Sequence, residues 1–244
     1  MTMEHLDDDL SANEGKQSIW PSLQQALADQ EKASPQLLMS WACSSYEKIC
    51  VAASFGKDSV VLLHMLLGIK PDIDVIFLST GFDFDETLRY RDELQERWDL
   101  NIIDFEPLIS VEEQAKNHGD ELYKTDPVTC CGIRKVEPMA RALKGYDAWI
   151  AGLRRDESEY RKDIGVIENG SLVKINPLAN WTEDQIWSYI REFDVPYHPL
   201  YDDGFRSLGC RPCTLDGKLG RFERAGRWAG TVQEGAECGI HTQI

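Results

Sequence analysis

Four of the seven cysteines in this 244-residue chain form two close pairs that could bind one inorganic centre. The pairs are Cys130-Cys131 and Cys210-x-x-Cys213. A Cys-x-x-Cys spacing places two thiolates on one metal centre from a single turn. Adjacent cysteine side chains diverge, so a vicinal pair suits two irons of a larger cluster better than one tetrahedral zinc. The pattern favours a [4Fe–4S] cluster over zinc, and either over four unliganded thiols.

A fifth cysteine, Cys238, lies close to the C-terminus in the run Glu237-Cys238-Gly239-Ile240-His241. Only the thiolate form of cysteine attacks an electrophile, and nearby cations lower the thiol pKa from its usual value of about 8.5. Arg224 and Arg227 precede this run. We therefore expect a nucleophile on a mobile segment, 215–244, that reaches a bound substrate and then a second protein. An incidental exposed cysteine is the alternative.

The segment Ser54-Phe55-Gly56-Lys57-Asp58-Ser59 lies between a short apolar run and a helical pattern. Backbone N–H groups in such a strand-to-helix loop, with the helix N-terminus behind them, favour an anion. The spacing is not that of a P-loop. It resembles the Ser-Gly-Gly-Lys-Asp-Ser loop of the adenine-nucleotide α-hydrolase superfamily, with Phe55 in place of the first glycine. An ordinary turn without ligand is the alternative.

The overall charge argues against nucleic acid as a partner. The chain has 26 basic and 42 acidic residues, for a formal net charge of −16, which repels a phosphate backbone. Six basic residues nevertheless cluster near the C-terminus, opposed only by Asp216 and Glu223. They are Arg206, Arg211, Lys218, Arg221, Arg224 and Arg227. Such a local cluster suits a small anion, although a solvated charged face would have the same composition.

The composition is that of a soluble globular protein, with 42% hydrophobic and 9% aromatic residues. No apolar run approaches the roughly 20 residues of a membrane span, and no secretory signal is visible at the N-terminus. We therefore expect a cytoplasmic protein whose cysteines serve metal binding or catalysis rather than disulfides. We predict a disordered acidic N-terminus at 1–16, an α/β nucleotide-binding and cluster domain at 17–214, and the catalytic segment at 215–244.

Alternating strands and helices predict an α/β fold, a mainly parallel twisted sheet with helices on both faces. A hairpin is expected from Gly165 to Ile175 around Asn169-Gly170. Strands are expected at Ile49–Ala53, Asp74–Leu78, Asn101–Phe105 and Ala148–Ala151, and helices at Leu23–Trp41, after Ser59, at Glu86–Trp98 and at Thr182–Phe193.

Taken together, these residues resemble the cluster-bearing assimilatory adenylyl-sulfate (APS) reductases, relatives of phosphoadenylyl-sulfate (PAPS) reductase. The resemblance runs from about Ile49 to His241. Besides the loop at 54–59 and the tail run, it includes Thr80-Gly81 to Thr87, Cys130 to Pro138, Gly152 to Ser158 with Arg154 and Arg155, Asn176 to Ala179 with Trp181-Thr182, Gly209 to Thr214, and Gly226-Arg227-Trp228.

The resemblance implies a reaction and a role for each motif. The Cys238 thiolate would attack the sulfate sulfur of APS, releasing AMP and leaving an S-sulfocysteine, from which reduced thioredoxin frees sulfite. Lys135, Arg224, Arg227 and His241 would surround the sulfate, and the two cysteine pairs would bind the [4Fe–4S] cluster. The substrate-binding residues would be Ser54, Phe55, Gly56, Lys57, Asp58, Ser59, Thr80, Gly81, Gly152, Arg154 and Arg155. The cluster would not carry electrons, because thiol–disulfide chemistry supplies both of the electrons that the reduction needs.

Three other functions stay open at this point. One is PAPS reduction by the same mechanism. A second is an ATP-using, cluster-bearing tRNA thiolase, against which the net charge counts. A third is a non-catalytic iron–sulfur sensor whose tail binds a partner.

The family's Leu-Asp-Thr-Gly motif is Leu78-Ser79-Thr80-Gly81 here, so one acidic side chain is missing. The sequence leaves the oligomeric state open, a homo-oligomer included.

Overall fold

A six-stranded, mainly parallel β-sheet forms the centre of the protein, in a computed structural model that describes residues 29–215, 222–231 and 237–241. The strand order is β3-β2-β1-β4-β6-β5, and only β5 runs antiparallel to its neighbour. The strands are β1 Ile49–Ala52, β2 Asp74–Leu78, β3 Asn101–Phe105, β4 Ala148–Ala151, β5 Ile167–Glu168 and β6 Val173–Ile175.

Eight α-helices and several single turns surround this sheet within the described residues. The helices are α1 Pro35–Ser45, α2 Lys57–Leu67, α3 Asp85–Trp98, α4 Val111–His118, α5 Leu122–Thr125, α6 Pro127–Cys131, α7 Glu137–Ala142 and α8 Glu183–Glu192. A π-helical turn, Gly132–Val136, joins α6 to α7. Three-residue or four-residue 3₁₀ turns include Pro199–Tyr201, Arg211–Cys213, Glu223–Gly226 and Gly239–His241.

Helices cover both faces of the sheet. Because successive residues of a strand point to opposite faces, each central strand contributes to two cores. Ile49 and Val51 of β1 belong to the larger core, with most of α2 and parts of α1, α3 and α8. Cys50 belongs to a second core on the other face, with Met139 of α7 and Trp149 of β4. Strands buried on both faces explain the continuous apolar runs from which they were predicted.

The sequence-based expectations hold for most elements. The fold class is confirmed, and β2, β3 and β4 have the predicted bounds. The hairpin forms between β5 and β6. Helix α8 begins at a capping box in which Thr182 accepts a hydrogen bond from Gln185 N.

The helix predicted at Leu23–Trp41 is wrong over residues 29–34 and right over residues 35–41. Residues 30–32 form a separate 3₁₀ turn, and α1 begins only at Pro35, with Ser34 as its N-cap. Proline at the first helical position after serine is a start pattern, because its ring and missing N–H are not tolerated inside a helix. Residues 1–16 lie outside the described part. In the part that is described, none of the helices combines the length and the apolarity that crossing a bilayer requires.

Candidate active site

The carboxyl ends of β1, β2 and β4 open into a cavity at the place where the strand order reverses. In open parallel sheets this crevice is where ligands bind. The loop after β1 and the segments after β2 and β4 supply one wall, and the C-terminal part of the chain supplies the other. The lining residues used below are Ser54, Gly56, Asp58, Ser59, Thr80, Lys135, Gly152, Arg161, Tyr201, Arg224 and His241.

The loop after β1 is anchored by Phe55 rather than opened by a glycine. Phe55 has a left-handed φ of 56°, and its fully buried ring packs against Phe77 with centroids 5.6 Å apart. The loop thus has the expected strand–turn–helix form, but Phe55 faces the core, and the geometry does not support its predicted contact with substrate. The Tyr201 hydroxyl accepts a hydrogen bond of 2.9 Å from Lys57 N, so one N-terminal donor of α2 is already used.

The side chains of Lys57 and Arg154 lie in a buried network of ion pairs beneath the cavity. Arg154 donates to Asp58 at 2.6 Å and to Glu223 at 2.5 Å, and Lys57 pairs with the same two carboxylates. Burial opposes the charged form of both cations, but Asp58 and Glu223 raise the pKa of each. Because these cations are neutralised within the protein, the geometry does not support their predicted contact with substrate.

Two further predicted substrate residues also lie outside the cavity. Arg155 donates to Glu31, to Asn180 and to the carbonyl of Ile164 on the outside of the protein. Gly81 has a φ of 77°, and a Cβ there would lie 2.9 Å from Val111. Both residues therefore shape the segments that carry the cavity wall rather than face it.

The two predicted cysteine pairs line a second, smaller cavity next to the first. Cys130 and Cys131 end helix α6, which begins with Pro127 after the N-cap Asp126. Cys210 and Cys213 flank a 3₁₀ turn on the opposite side. All four thiols are buried, with 5–8% of each residue exposed. The fold therefore brings together two pairs that are far apart in the sequence, as their spacing predicted.

The spacing of these thiols is too wide for a four-cysteine zinc site. Four sulfurs around one zinc lie about 3.8 Å apart, because each Zn–S bond is about 2.3 Å long in a tetrahedral site. Within the described residues, no three cysteine Sγ atoms lie mutually within 4.8 Å. The donor set and the room between the thiols fit a larger thiolate-bound centre such as an iron–sulfur cluster.

Lys135 lies between the two cavities and lines both of them. It belongs to the π-helical turn that follows Cys131, and single π-helical turns inside helices are frequent at functional sites. Burial opposes the charged form of Lys135, but the neighbouring Cys210 and Cys238 raise its pKa. A cation therefore stands between the cysteine pairs and the larger cavity.

The C-terminal residues 237–241 dock on the wall of the larger cavity. The Glu237 carboxylate accepts hydrogen bonds from Arg161 Nη2 at 3.0 Å and from Arg224 Nη2 at 2.8 Å. The Cys238 N–H also donates to Glu237 Oε1, at 3.0 Å. Cys238 itself is buried, with 6% of its surface exposed. The tail thiol is thus held against the body of the protein in this structure.

His241 forms the second contact of the tail. Its ring stacks on Trp149 with a centroid distance of 5.8 Å and an interplanar angle of 5°, and its carbonyl accepts a hydrogen bond from Lys174 at 3.2 Å. Burial, followed by the charge of Arg161, lowers the pKa of His241 to about 3. The ring is therefore neutral at pH 7. Its Nδ1 is buried and has no partner in the described part of the chain.

The thiol of Cys238 is activated by its surroundings. A hydrogen bond from the Cys131 thiol, and then the charge of Lys135, lower the pKa of Cys238 to about 6 against the opposing effect of burial. If Cys131 were a thiolate ligand of a metal centre, its hydrogen bond would be lost and the contribution of Lys135 would remain. Lys135 is thus the cation that most directly favours the attacking form of this cysteine.

Arg224 and Arg227 each keep one donor unused. The Nε atoms of both are buried without a hydrogen-bond partner among the described residues. Arg227 Nη1 donates to the Leu208 carbonyl at 2.6 Å, and its guanidinium lies so close to Gly209 that a Cβ there would be 2.2 Å away. Buried donors without partners are costly. Arg224 lines the larger cavity and Arg227 the smaller one, so each cavity has an arginine with a donor that a negatively charged ligand could use.

Two cavity-wall residues, Arg161 and Tyr201, and one residue of the docked tail, Glu237, were not predicted from the sequence. Arg161 follows the segment that carried the resemblance, Tyr201 comes from a turn without a motif, and Glu237 was quoted only as a neighbour of Cys238. A buried glutamate beside a reactive cysteine in a run of glycines was the available indication for Glu237. The sequence offered none for Tyr201, which meets the loop after β1 from 144 residues away.

Solved structures share this architecture. The structure superposes on phosphoadenylyl-sulfate (PAPS) reductase from Candida auris, in its phosphate complex, with a TM-score of 0.68. The two are 31% identical over 79% of this chain and 96% of that chain. It also matches the fold of Candida glabrata FMN adenylyltransferase, with a TM-score of 0.55 and 19% identity over 70% of this chain and 56% of that one. The fold is therefore of the adenine nucleotide α-hydrolase-like class.

Sequence comparison identifies the family within that class. The model of the phosphoadenosine phosphosulfate reductase domain matches residues 48–216. The chain is 44% identical to phosphoadenosine 5′-phosphosulfate reductase of Gloeobacter violaceus, over 86% of this chain and 90% of that protein. It is 42% identical to adenosine 5′-phosphosulfate reductase of Bacillus cereus, over 84% and 89%. The chain belongs to the phosphoadenosine phosphosulfate reductase family.

Proposed function

We propose that this protein reduces adenosine 5′-phosphosulfate to sulfite and AMP, with Cys238 as the nucleophile and thioredoxin as the reductant. The observation that carries this proposal is the set of buried polar atoms without a partner among the described residues, on side chains that line the two cavities: Arg224 Nε and His241 Nδ1 at the larger cavity and Arg227 Nε at the smaller one. An anionic group bound where the two cavities meet would use such donors near Cys238, whose thiolate form Lys135 favours.

In the first step the Cys238 thiolate attacks the sulfur of the phosphosulfate group. The new S–S bond forms as the S–O bond to the phosphate breaks, and the electron pair leaves with AMP. Lys135, Arg224 and Arg227 neutralise the charge of the sulfonyl oxygens, which lets an anionic nucleophile approach. The same cations stabilise charge that moves toward the AMP oxygen. The product on the enzyme is an S-sulfocysteine.

In the second step a dithiol supplies two electrons. One thiolate of reduced thioredoxin attacks the Cys238 sulfur, sulfite leaves, and the second thioredoxin thiol resolves the mixed disulfide and restores the Cys238 thiol. This exchange needs the cysteine to leave its buried position. We therefore propose that the part of the segment 215–244 that carries Cys238 opens from the domain at 17–214 after the first step, while Glu223 and Arg224 stay in place, and that the reaction takes place in the cytoplasm.

The cysteines Cys130, Cys131, Cys210 and Cys213 would hold a [4Fe–4S] cluster, whose charge would act electrostatically on Lys135 and the bound anion. The wide separation of the thiols supports this group over zinc. Lys135 lines both cavities. Its ammonium is the group of this chain that would link the charge of the cysteine site to the sulfonyl oxygens.

The choice of APS over PAPS is supported by the paired cysteines, which resemble the APS-reducing branch. Relatives with either name match this chain at similar identity. Steady-state rates with the two nucleotides test the choice directly. We expect a higher kcat/KM for APS, and a preference for PAPS would move the protein to the alternative substrate without changing the mechanism.

Mass spectrometry of the intact protein tests the mechanism. Protein mixed with APS and no reductant should gain one SO₃ group, located on Cys238, and release one equivalent of AMP. Cys238→Ser should gain none, whereas Cys43→Ser, which changes a half-buried cysteine of helix α1, should behave as the wild type. Sulfite formation by Cys238→Ser at a rate near that of the wild type would exclude the proposed nucleophile.

A further inference from the structure

The carboxylate of Glu237 is held between two arginines of the cavity wall. Arg161 approaches it with Nε and Nη2, and Arg224 with Nη2. The exposed fraction of the glutamate side chain is only 8%. A buried carboxylate bound by two guanidinium groups forms strong, directional hydrogen bonds. We call Glu237, Arg161 and Arg224 the tail clamp.

The clamp also fixes the residue next to it. The Cys238 N–H donates to Glu237 Oε1 at 3.0 Å, so the carboxylate and the backbone of the cysteine form one rigid unit. Gly239 follows immediately and adds no side-chain contact of its own. Within the described tail residues, the position of the thiol along the cavity wall therefore depends on Glu237 on one side and on the stacked His241 on the other.

Arg224 uses only part of its guanidinium to bind the tail. Its Nη2 binds Glu237, whereas its Nε is buried and unpartnered in the described structure. The same guanidinium lies over the Trp228 ring, 5.6 Å from the ring centroid, which holds it from a second side. Because the group is planar and rigid, fixing Nη2 also fixes the direction in which Nε points.

Arg161 connects the clamp to the loop after β1. Its Nη1 donates to Glu157, which in turn accepts the N–H of Arg154 at 2.9 Å. The Arg154 guanidinium binds Asp58 at the start of α2. Buried hydrogen-bonded charges therefore run without interruption from the nucleotide side of the cavity to the tail. The clamp is thus tied to the start of α2, although Arg161 and Arg224 themselves lie in short 3₁₀ turns.

We propose that Glu237 is a positioning residue, which docks the C-terminal segment through Arg161 and Arg224 so that the Cys238 thiol is held at the anion site. The proposal rests on the proposed role of Cys238. It adds that one carboxylate governs how often the thiol is in place, while the cavity binds the nucleotide without it. Removing the charge of Glu237 should therefore release the tail and leave nucleotide binding intact.

The test compares Glu237→Gln with Glu192→Gln, which makes the same change on the exposed end of α8. Alkylation of Cys238 by iodoacetamide is followed by peptide mass spectrometry at about pH 9.5, above the ordinary thiol pKa of about 8.5, so that the rate reports access to the sulfur. AMP binding is measured by calorimetry. We expect Glu237→Gln to raise the alkylation rate by roughly tenfold to a hundredfold, the contribution of a hydrogen bond to a charged group.

The same variant should bind AMP within about twofold of the wild type, and Glu192→Gln should match the wild type in both measurements. Glu237→Asp, which keeps the charge on a shorter side chain, should lie between the two and serves as the probe if the glutamine variant does not fold. An unchanged alkylation rate would overturn the proposal, and so would a loss of AMP affinity as large as the gain in alkylation. Activity of Cys238→Ser would overturn the proposed function while leaving the alkylation result as it is.

Discussion

The cations on the two walls of the cavity differ in how many of their donors are bound by carboxylates. On the sheet side, Lys57 and Arg154 are neutralised by Asp58 and Glu223 in contacts buried beneath the loop. On the tail side, Arg224 is bound by a carboxylate only through Nη2, and its Nε has no partner in the described residues. Both walls are cationic in sequence, but among the described residues the buried arginine nitrogens without a partner belong to the tail side.

This difference distinguishes cations that stabilise the fold from cations that are available to a ligand. A buried cation whose donors are all used stabilises the fold, and its removal leaves carboxylates without compensation. A buried cation with an unused donor costs stability in the empty protein and gains it when an anion binds. Substitutions on the sheet side should therefore change stability, and substitutions on the tail side should change activity.

The largest effect on stability is expected at Arg154. Arg154→Met removes one of the two cations that Asp58 and Glu223 share, so two buried carboxylates are left with Lys57 alone. The free energy of unfolding, measured by urea titration, should fall by about 3–5 kcal/mol. Arg155→Met is the matched control, because that guanidinium is 28% exposed and pairs with a half-exposed Glu31. It should cost about 1 kcal/mol, and equal losses in the two variants would contradict the buried network.

At Arg224 we expect a loss of activity rather than a loss of stability. Arg224→Gln should lower the single-turnover rate of S-sulfocysteine formation by about 10²-fold to 10³-fold, the range for removing one donor to developing charge. It should also weaken nucleotide binding, because it removes a cation from the lining of the cavity. Glu237→Gln in the same assay should lower the rate and leave binding unchanged. If Arg224→Gln reduces stability as much as Arg154→Met and leaves the rate intact, the division between the two walls is wrong.

A smaller loss of activity should follow from crowding Arg227. In Gly209→Ala the new methyl group would lie 2.2 Å from the Arg227 guanidinium, which must move. We expect roughly a tenfold lower rate of sulfite formation, because a displaced donor loses part of its effect on the reacting group. Gly132→Ala adds a methyl group in open space at an ordinary backbone conformation and is the control. An unaffected Gly209→Ala enzyme would show that Arg227 does not need this position.

The sheet and the cysteine site could be predicted from the sequence because their determinants are local. A buried strand such as β4 is a short apolar run, and its bounds matched the prediction. Cys210-x-x-Cys213 is a spacing that one turn imposes. Lys135 was expected near the sulfate from the family resemblance, and it lies in the π-helical turn after Cys131, where it lines both cavities.

The direction of charged side chains could not be predicted in the same way. Lys57 and Arg154 lie in motifs that suggest an anion, but the Glu223 that neutralises them is 166 and 69 residues away. Arg155 is diverted by Glu31, 124 residues before it. Whether a cation meets a ligand or a carboxylate depends on contacts that only the folded chain creates, and the same holds for the clamp on Glu237.

The smallest predicted effect is a pH dependence of tail docking that comes from His241. Its pKa is about 3 in the docked tail, lowered by burial and then by Arg161, and about 6.5 in a solvated tail. Between these values the undocked tail binds more protons, so docking is complete above pH 6.5 and weakens as the pH falls. Glu237 adds to the loss only below its ordinary range near 4.5, because Arg224 and Arg161 hold its pKa down against burial. Hydrogen exchange of the C-terminal peptide, corrected for intrinsic rates, should therefore show decreasing protection from pH 6.5 to 4.5. In His241→Asn the protection should not change between pH 6.5 and 4.5. If the protection of the wild-type peptide does not change over this range either, His241 is not part of the docked contact.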